Sequence, residues 1–344
     1  MSETIAMDRT HDRQAETHRP ALEVRGLVTE FLTGHGRLRA VNDVSFRVEK
    51  GRVLAVIGES GSGKSAMLRS ILGIQPKTAV VEGEVLLEGR DLQRLSPKQR
   101  AAARGRDVSM VFQDPLTALD PVYTIEKQLV ETVRSHRKVS KAQARERALE
   151  LLELVQIPSP AQRLRAYPSE LSGGMRQRVV IAMALAGSPK VLLADEPTTA
   201  LDVTVQARIL RLFAELQRSQ DMDIVIVTHD LAVAAELADD VAVMYAGRIV
   251  EIGPIARVLA EPAHPYTRGL IEANVRPGQR TRPRAIPGAP PSLAKLPPGC
   301  AFAPRCADAT VACWQEEPQP VTLGPGRWSR CLHTSAAAEP THVA

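Results

Sequence analysis

Apolar residues along this chain gather in short unbroken runs, not in long alternations. Val53–Ile57 is such a run, rich in β-branched residues and bounded by Gly51 and Gly58, the pattern of a strand buried on both faces. Val191–Ala194, Ile224–Val227 and Val241–Tyr245 repeat it. Helical stretches separate these runs, which predicts βαβ units and a parallel sheet. Ahead of them, Leu22–Val28 and Val44–Val48 read as strands of an antiparallel region, and Lys64–Leu72 as a helix. Residues 98–165 are rich in Arg, Lys, Gln, Ala and Leu, with helical spacing in Ala144–Leu154. From about Arg276 the periodicity stops. Residues 276–325 hold eleven prolines, and all four cysteines of the chain follow residue 299. A separate, loop-built segment with little core is expected there, one that needs a staple.

Composition narrows the classes. At 344 residues, one large domain with an appendage, or two domains, is the expectation. Aromatics at 3% argue against a base-stacking surface, and a net charge of +5 is too mild to identify a polyanionic partner. The basic stretches Arg100–Arg106 and Arg134–Arg147 are interleaved with Glu146 and followed by Glu150, so they read as a solvated helical face and no nucleic-acid partner is expected. No run of 18 apolar residues is present, so no spanning helix is expected. Residues 1–20 are polar and charged with no apolar core of a signal peptide, and read as a disordered lead-in.

Candidate chemistry begins with Gly58-Glu-Ser-Gly-Ser-Gly-Lys-Ser65, which fits G-x-x-x-x-G-K-[ST] between a predicted strand and a predicted helix. Glycines let successive backbone N–H groups ring an anion, and the helix start adds its dipole. The expected nucleotide contacts are Gly58, Ser60, Gly61, Ser62, Gly63, Lys64, Ser65 and Ala66. Lys64 should reach the β- and γ-phosphates, and the Ser65 hydroxyl should ligate Mg²⁺. The strand 191–194 delivers Asp195 to the metal, and Glu196 is placed to polarise an attacking water as general base. Leu171-Ser172-Gly173-Gly174-Met175, opening another helix, forms a second anion-binding start that one nucleotide site would not need.

With this last element the chain resembles the ATP-binding cassette family, whose signature LSGGQ it nearly matches, with Met175 in place of Gln. The resemblance covers roughly residues 22–273. It implies a P-loop α/β cassette: a RecA-like mixed sheet core, an antiparallel β subdomain, and a helical signature subdomain over about 114–187. The cassette would occupy 21–273, and a proline- and cysteine-rich extension 274–344. It implies that Ser172, Gly173 and Gly174 contact the γ-phosphate held by the opposite subunit. It also implies roles for Gln113 at Mg²⁺ and the transmembrane partner, Asp202 of Ala200-Leu201-Asp202 across the dimer interface, His229 at the γ-phosphate, and Phe31 stacked on adenine. Catalysis would rest on Glu196, His229, Lys64 and Gln113, and Mg²⁺ on Ser65, Gln113 and Asp195.

Gln113-Asp-Pro-Leu-Thr-Ala-Leu-Asp-Pro121, Tyr167-Pro-Ser-Glu-Leu-Ser-Gly-Gly and His264-Pro265-Tyr266-Thr267 resemble the dipeptide and oligopeptide importer branch. That implies an ATP-hydrolysing subunit peripheral to the cytoplasmic face of the membrane. Its partners would be a second cassette (identical or a paralogue), two permease subunits and an extracytoplasmic binding protein. His264 and Tyr266 read as packing residues for the extension. The cysteines are spaced Cys300-x₅-Cys306-x₆-Cys313-x₁₇-Cys331, without the C-x₂-C pair of an ordinary zinc ribbon. Four thiolates can hold [4Fe–4S] or Zn²⁺, or stay metal-free. The resemblance favours [4Fe–4S], which some peptide-importer ATPases carry; a structural role, with redox sensing as a further option, is expected because nothing in the sequence places the cluster beside the nucleotide. A soluble cassette ATPase acting on nucleic acid or ribosomes is the rival reading. DNA-repair members carry a long coiled coil between P-loop and signature, whereas Ser65 and Ser172 are 107 positions apart. Translation-type members commonly join two cassettes.

Overall fold

The structure, a computed structural model, describes residues 19–34, 36–199, 201–274 and 284–335. The expected lead-in falls outside these residues save for Arg19 and Pro20. The strands are Leu22–Thr33 (β1), Gly36–Val48 (β2), Val53–Ile57 (β3), Ala79–Leu87 (β4), Arg90–Asp91 (β5), Val108–Val111 (β6), Val191–Asp195 (β7), Asp223–Thr228 (β8), Asp240–Tyr245 (β9), Arg248–Pro254 (β10), Val321–Gly324 (β11) and Arg327–Ser329 (β12). They form two sheets, ordered β2-β1-β4-β5 and β11-β12-β10-β9-β3-β8-β7-β6. In the larger sheet β9, β3, β8, β7 and β6 run parallel, and the other pairings are antiparallel.

Both faces of the parallel strands are covered, which is why they read as unbroken apolar runs. Val53, Ala55 and Ile57 of β3 face one core, while Leu54 and Val56 face the other. β7 and β8 divide in the same way: Leu192, Ala194, Ile224 and Ile226 point to the first core, and Val191, Leu193, Val225 and Val227 to the second. The helix Lys64–Leu72 lies between the sheets and buries Met67, Leu68 and Ile71 against Leu22, Val24 and Leu27 of β1. The first core continues into the helices Ile125–His136, Lys141–Leu154 and Gly173–Leu185. Their starts are capped by Thr124, Ser140 and Ser172, whose hydroxyls accept backbone N–H groups of the first turn.

The C-terminal segment does not stand apart as its composition suggests. β12 pairs antiparallel with β10, Ser329 opposite Glu251, so a hairpin from beyond residue 320 extends the main sheet. Phe302 is 4% exposed and belongs to the first core, packed on Tyr245 and Tyr266 at ring-centroid distances of 5.3 and 5.4 Å. A three-residue strand and one aromatic carry no periodicity, which is why the pattern of the sequence gives no sign of either. Residues 275–283 lie outside the described residues.

Asp223, at the start of β8, ties the parallel sheet at its far edge. Its carboxylate is 5% exposed and accepts the N–H of Gly51 at 2.5 Å. Burial outweighs the backbone hydrogen bonds and raises its pKa to about 6. A carboxyl raised above its unfolded value binds its proton more tightly in the folded chain, so stability falls as pH rises from about 4 through about 6. Asp223→Asn should therefore be more stable than wild type at pH about 7.5, by about 1–3 kcal/mol, and nearly equal to it near pH 4. Thermal unfolding at the two pH values checks this; a penalty for the variant at the higher pH contradicts it.

Candidate functional site

Four adjacent parallel strands deliver the predicted groups to one edge. The phosphate loop follows β3, His229 follows β8, Asp195 ends β7 and Gln113 follows β6. This is where open α/β sheets place their ligands. The chain can turn there because Gly58 and Gly63 take φ of 156° and 103°. A Cβ on Gly63 would stand 2.3 Å from the carbonyl oxygen of Ala40, and one on Gly58 2.1 Å from that of Met244. Ser60, Gly61, Gly63, Lys64, Ser65, Ala66, Gln113, Glu196 and His229 line a common cleft, joined by Ala40 and Leu293. Ser62 stands just behind it, within 3.4 Å of Lys64 Nζ.

Lys64 is 4% exposed and donates from Nζ to the carbonyls of Gly58 at 2.8 Å and Glu59 at 2.9 Å. Burial lowers its pKa, and the negative fields of Glu196, Asp195 and Glu59 oppose that shift. Asp195 moves the other way: burial raises its pKa, against the hydrogen bond from Ser65 and the fields of Arg69 and Lys64. Ser65 Oγ donates to Asp195 Oδ1 at 2.8 Å. A hydroxyl and a carboxylate are hard oxygen donors, so the pair fits Mg²⁺.

Glu196 is constrained in both backbone and side chain. Its φ of 44° lies in the left-handed region that a non-glycine residue enters at a cost. One carboxylate oxygen, Oε2, gathers three side chains: Gln113 Nε2 at 3.1 Å, Thr199 Oγ1 at 2.9 Å and His229 Nδ1 at 3.3 Å. Gln113, Glu196 and His229 were legible as separate motifs; Thr199 was not. Its place in Glu196-Pro-Thr-Thr199, three residues beyond the acid, was the available signal.

Other expected residues lie elsewhere. Ser172 caps its helix by accepting the N–H of Met175 at 3.3 Å, and Asp202 caps the next by accepting that of Val205 at 3.0 Å. Gly173 packs near Leu201 and Gly174 against Val205, so signature and D-loop touch each other and not the cleft. Ala200 is outside the described residues. Phe31 sits in β1 between Leu38 and Ala79 of the neighbouring strands and is not among the residues lining the cleft. His264 is 2% exposed, caps the helix Pro265–Ala273 through Nδ1, and has its pKa driven to about 3 by burial. Tyr266 does more than pack, since its hydroxyl accepts the N–H of Glu59 at 2.9 Å.

Cys300, Cys306, Cys313 and Cys331 all line a single small pocket together with His264, Phe302 and His333. The cysteines are unpaired. Burial pushes the Cys300 thiol up to about 11, with the neighbouring Cys313 and Cys331 adding to the effect, and raises that of Cys306 as well. His333 Nε2 is 3.6 Å from Cys313 Sγ. Among the described residues no three His, Cys, Asp or Glu side chains are set at metal-holding separations. Arg305, next to Cys306 in the chain, pairs with Glu59 of the phosphate loop at 2.6 Å.

Comparison with known proteins agrees with this geometry. Residues 41–199 match the ABC transporter family model, and residues 250–313 that of the oligopeptide/dipeptide transporter C-terminal region. The dipeptide transport ATP-binding protein DppD of Bacillus subtilis (strain 168) is 50% identical over 297 residues, 85% of this chain and 88% of that one. The oligopeptide transport ATP-binding protein OppD of the same organism is 48% identical over 301 residues, 86% of this chain and 84% of its own length. A solved dimeric post-hydrolysis structure of the ATP-binding cassette MJ0796 with ADP and Pi superposes with a TM-score of 0.61 at 28% identity, covering 68% of this chain and 98% of that one. No helix among the described residues is long and apolar enough to cross a membrane. Motifs, strand order and relatives agree: the chain belongs to the ABC transporter family of ATP-binding proteins, with the C-terminal region of its oligopeptide/dipeptide transporters.

Proposed function

We propose that this protein hydrolyses ATP to drive uptake of di- or oligopeptides through separate permease subunits, with an extracytoplasmic binding protein delivering the solute. The observation that carries the reading is the convergence of Lys64, Ser65, Asp195, Gln113, Glu196 and His229 on one cleft in a chain half identical to a dipeptide transport ATP-binding protein. The cassette spans 21–273, its helical subdomain about 114–187, and it works from the cytoplasmic face of the membrane. Nothing favours the nucleic-acid or ribosome reading.

Lys64 and the loop N–H groups hold the phosphates, and His229 meets the γ-phosphate. Ser65, Asp195 and Gln113 would hold Mg²⁺, which would supply neutralisation of phosphate charge. Glu196 orients the attacking water and takes its proton. The hydrogen bonds from Gln113 and Thr199 fix one carboxylate oxygen, leaving the other for the water. Phe31 stacks on the adenine. Signature and D-loop complete the site of a second cassette, identical or paralogous. Their placement away from this chain's own cleft supports that assignment.

The four cysteines, we infer, take up a metal centre, [4Fe–4S] in preference to Zn²⁺. Support comes from their convergence on one cavity and from their soft donor chemistry. The thiols must close in to ligate, and binding would then add to the folding energy of the segment.

Three tests follow. Glu196→Gln should keep ATP affinity while hydrolysis by the assembled transporter falls by roughly two orders of magnitude or more; near-normal turnover contradicts the base assignment. Ser172→Asp keeps a good helix cap but sets a carboxylate against the γ-phosphate of the partner site. The isolated subunit should bind ATP normally while transport stops; lost binding by the isolated subunit would put the signature in its own site. Anaerobically purified protein should carry about four irons per chain and absorb broadly. One zinc per chain instead, or four titratable thiols with no metal, contradicts the iron–sulfur assignment.

A further inference from the structure

Two arms reach from beyond residue 264 to one residue of the phosphate loop. Arg305 is buried, and its guanidinium holds the Glu59 carboxylate at both ends, Nη1 to Oε2 at 2.6 Å and Nη2 to Oε1 at 3.0 Å. The Nε of Arg305 donates to the carbonyl of Pro287 at 2.8 Å, which anchors the fork within its own segment. The second arm is the Tyr266 hydroxyl, which accepts the backbone N–H of Glu59 at 2.9 Å. Leu293 of the same C-terminal segment lines the nucleotide cleft.

Glu59 is an acid in a loop built to bind a polyanion. Its carbonyl already receives Lys64 Nζ, and its carboxylate field acts on that lysine. Left bare, the carboxylate would repel the phosphates and compete with them for Lys64. A planar guanidinium bonded through two parallel N–H groups cancels the charge and fixes the side chain, which a lysine would do less well.

We propose that Arg305 is a positioning residue for ATP binding, through which the order of the cysteine-bearing segment sets the affinity of the phosphate loop. The link is short. Arg305 immediately precedes Cys306, and Phe302, which lines the cysteine cavity, packs on Tyr266 and Tyr245. Disorder around the cysteines withdraws the guanidinium and exposes the Glu59 charge. The inference rests on the phosphate loop being the ATP site.

The test is Mg–ATP affinity of the purified full chain, titrated with a fluorescent ATP analogue. Arg305→Ala should weaken binding about tenfold, the effect of one uncompensated nearby charge. Adding Glu59→Gln to it should restore affinity to within about twofold, because the two sites are directly coupled. Arg305→Lys should fall between wild type and Arg305→Ala. Cys306→Ser should weaken binding in the wild-type background and not in the Glu59→Gln background. Unchanged affinity in Arg305→Ala, a loss that Glu59→Gln fails to recover, or an effect of Cys306→Ser that is absent or equal in both backgrounds overturns the proposal. A wild-type chain that binds no ATP overturns the functional reading itself.

Discussion

The structure turns on keeping one ammonium group charged where little water remains. Lys64 is almost wholly buried, so its charge survives only because carbonyls and carboxylates surround it. Two of those carbonyls come from a loop that closes only with glycine at 58 and 63, and two carboxylates come from the end of β7. β8 lies between β3 and β7, and that order sets His229 beside Glu196. The sheet order thus brings the carboxylates that act on this lysine to the edge that carries the phosphate loop.

The same constraint explains what was legible beforehand. Strands covered on both faces must be apolar at every position, so β3, β7, β8 and β9 stood out as unbroken runs. The phosphate loop was legible because glycine spacing there answers to close backbone contacts. Strands β6 and β10 were missed: Val108–Val111 carries Ser109 within it, and Arg248–Pro254 carries Glu251, which is 0% exposed and accepts the N–H groups of Ala263 and His264. A buried acid looks like a surface residue until its donors, 12 and 13 positions away, are known.

The C-terminal segment was the least legible part for a related reason. Proline-rich chain without periodicity suggests independence from the core, yet its attachments are single, specific contacts. Phe302 joins the aromatic cluster, Ser329 pairs with Glu251, and Arg305 reaches Glu59 from 246 positions away. Contacts of this kind leave no pattern in a sequence, because one residue at each end suffices. The cysteines were legible as a group, but not as neighbours of a residue touching the phosphate loop.

The central claim is that this cleft hydrolyses ATP only when a second cassette closes over it. The most direct measurement is a structure of the complete Mg–ATP-bound transporter carrying Glu196→Gln. The account predicts that the γ-phosphate lies within hydrogen-bonding reach of Lys64 and His229 of this chain and of a signature loop supplied by the other cassette, with this chain's Ser172 facing the partner's nucleotide. A nucleotide enclosed by the P-loop and Ser172 of one and the same chain would contradict it.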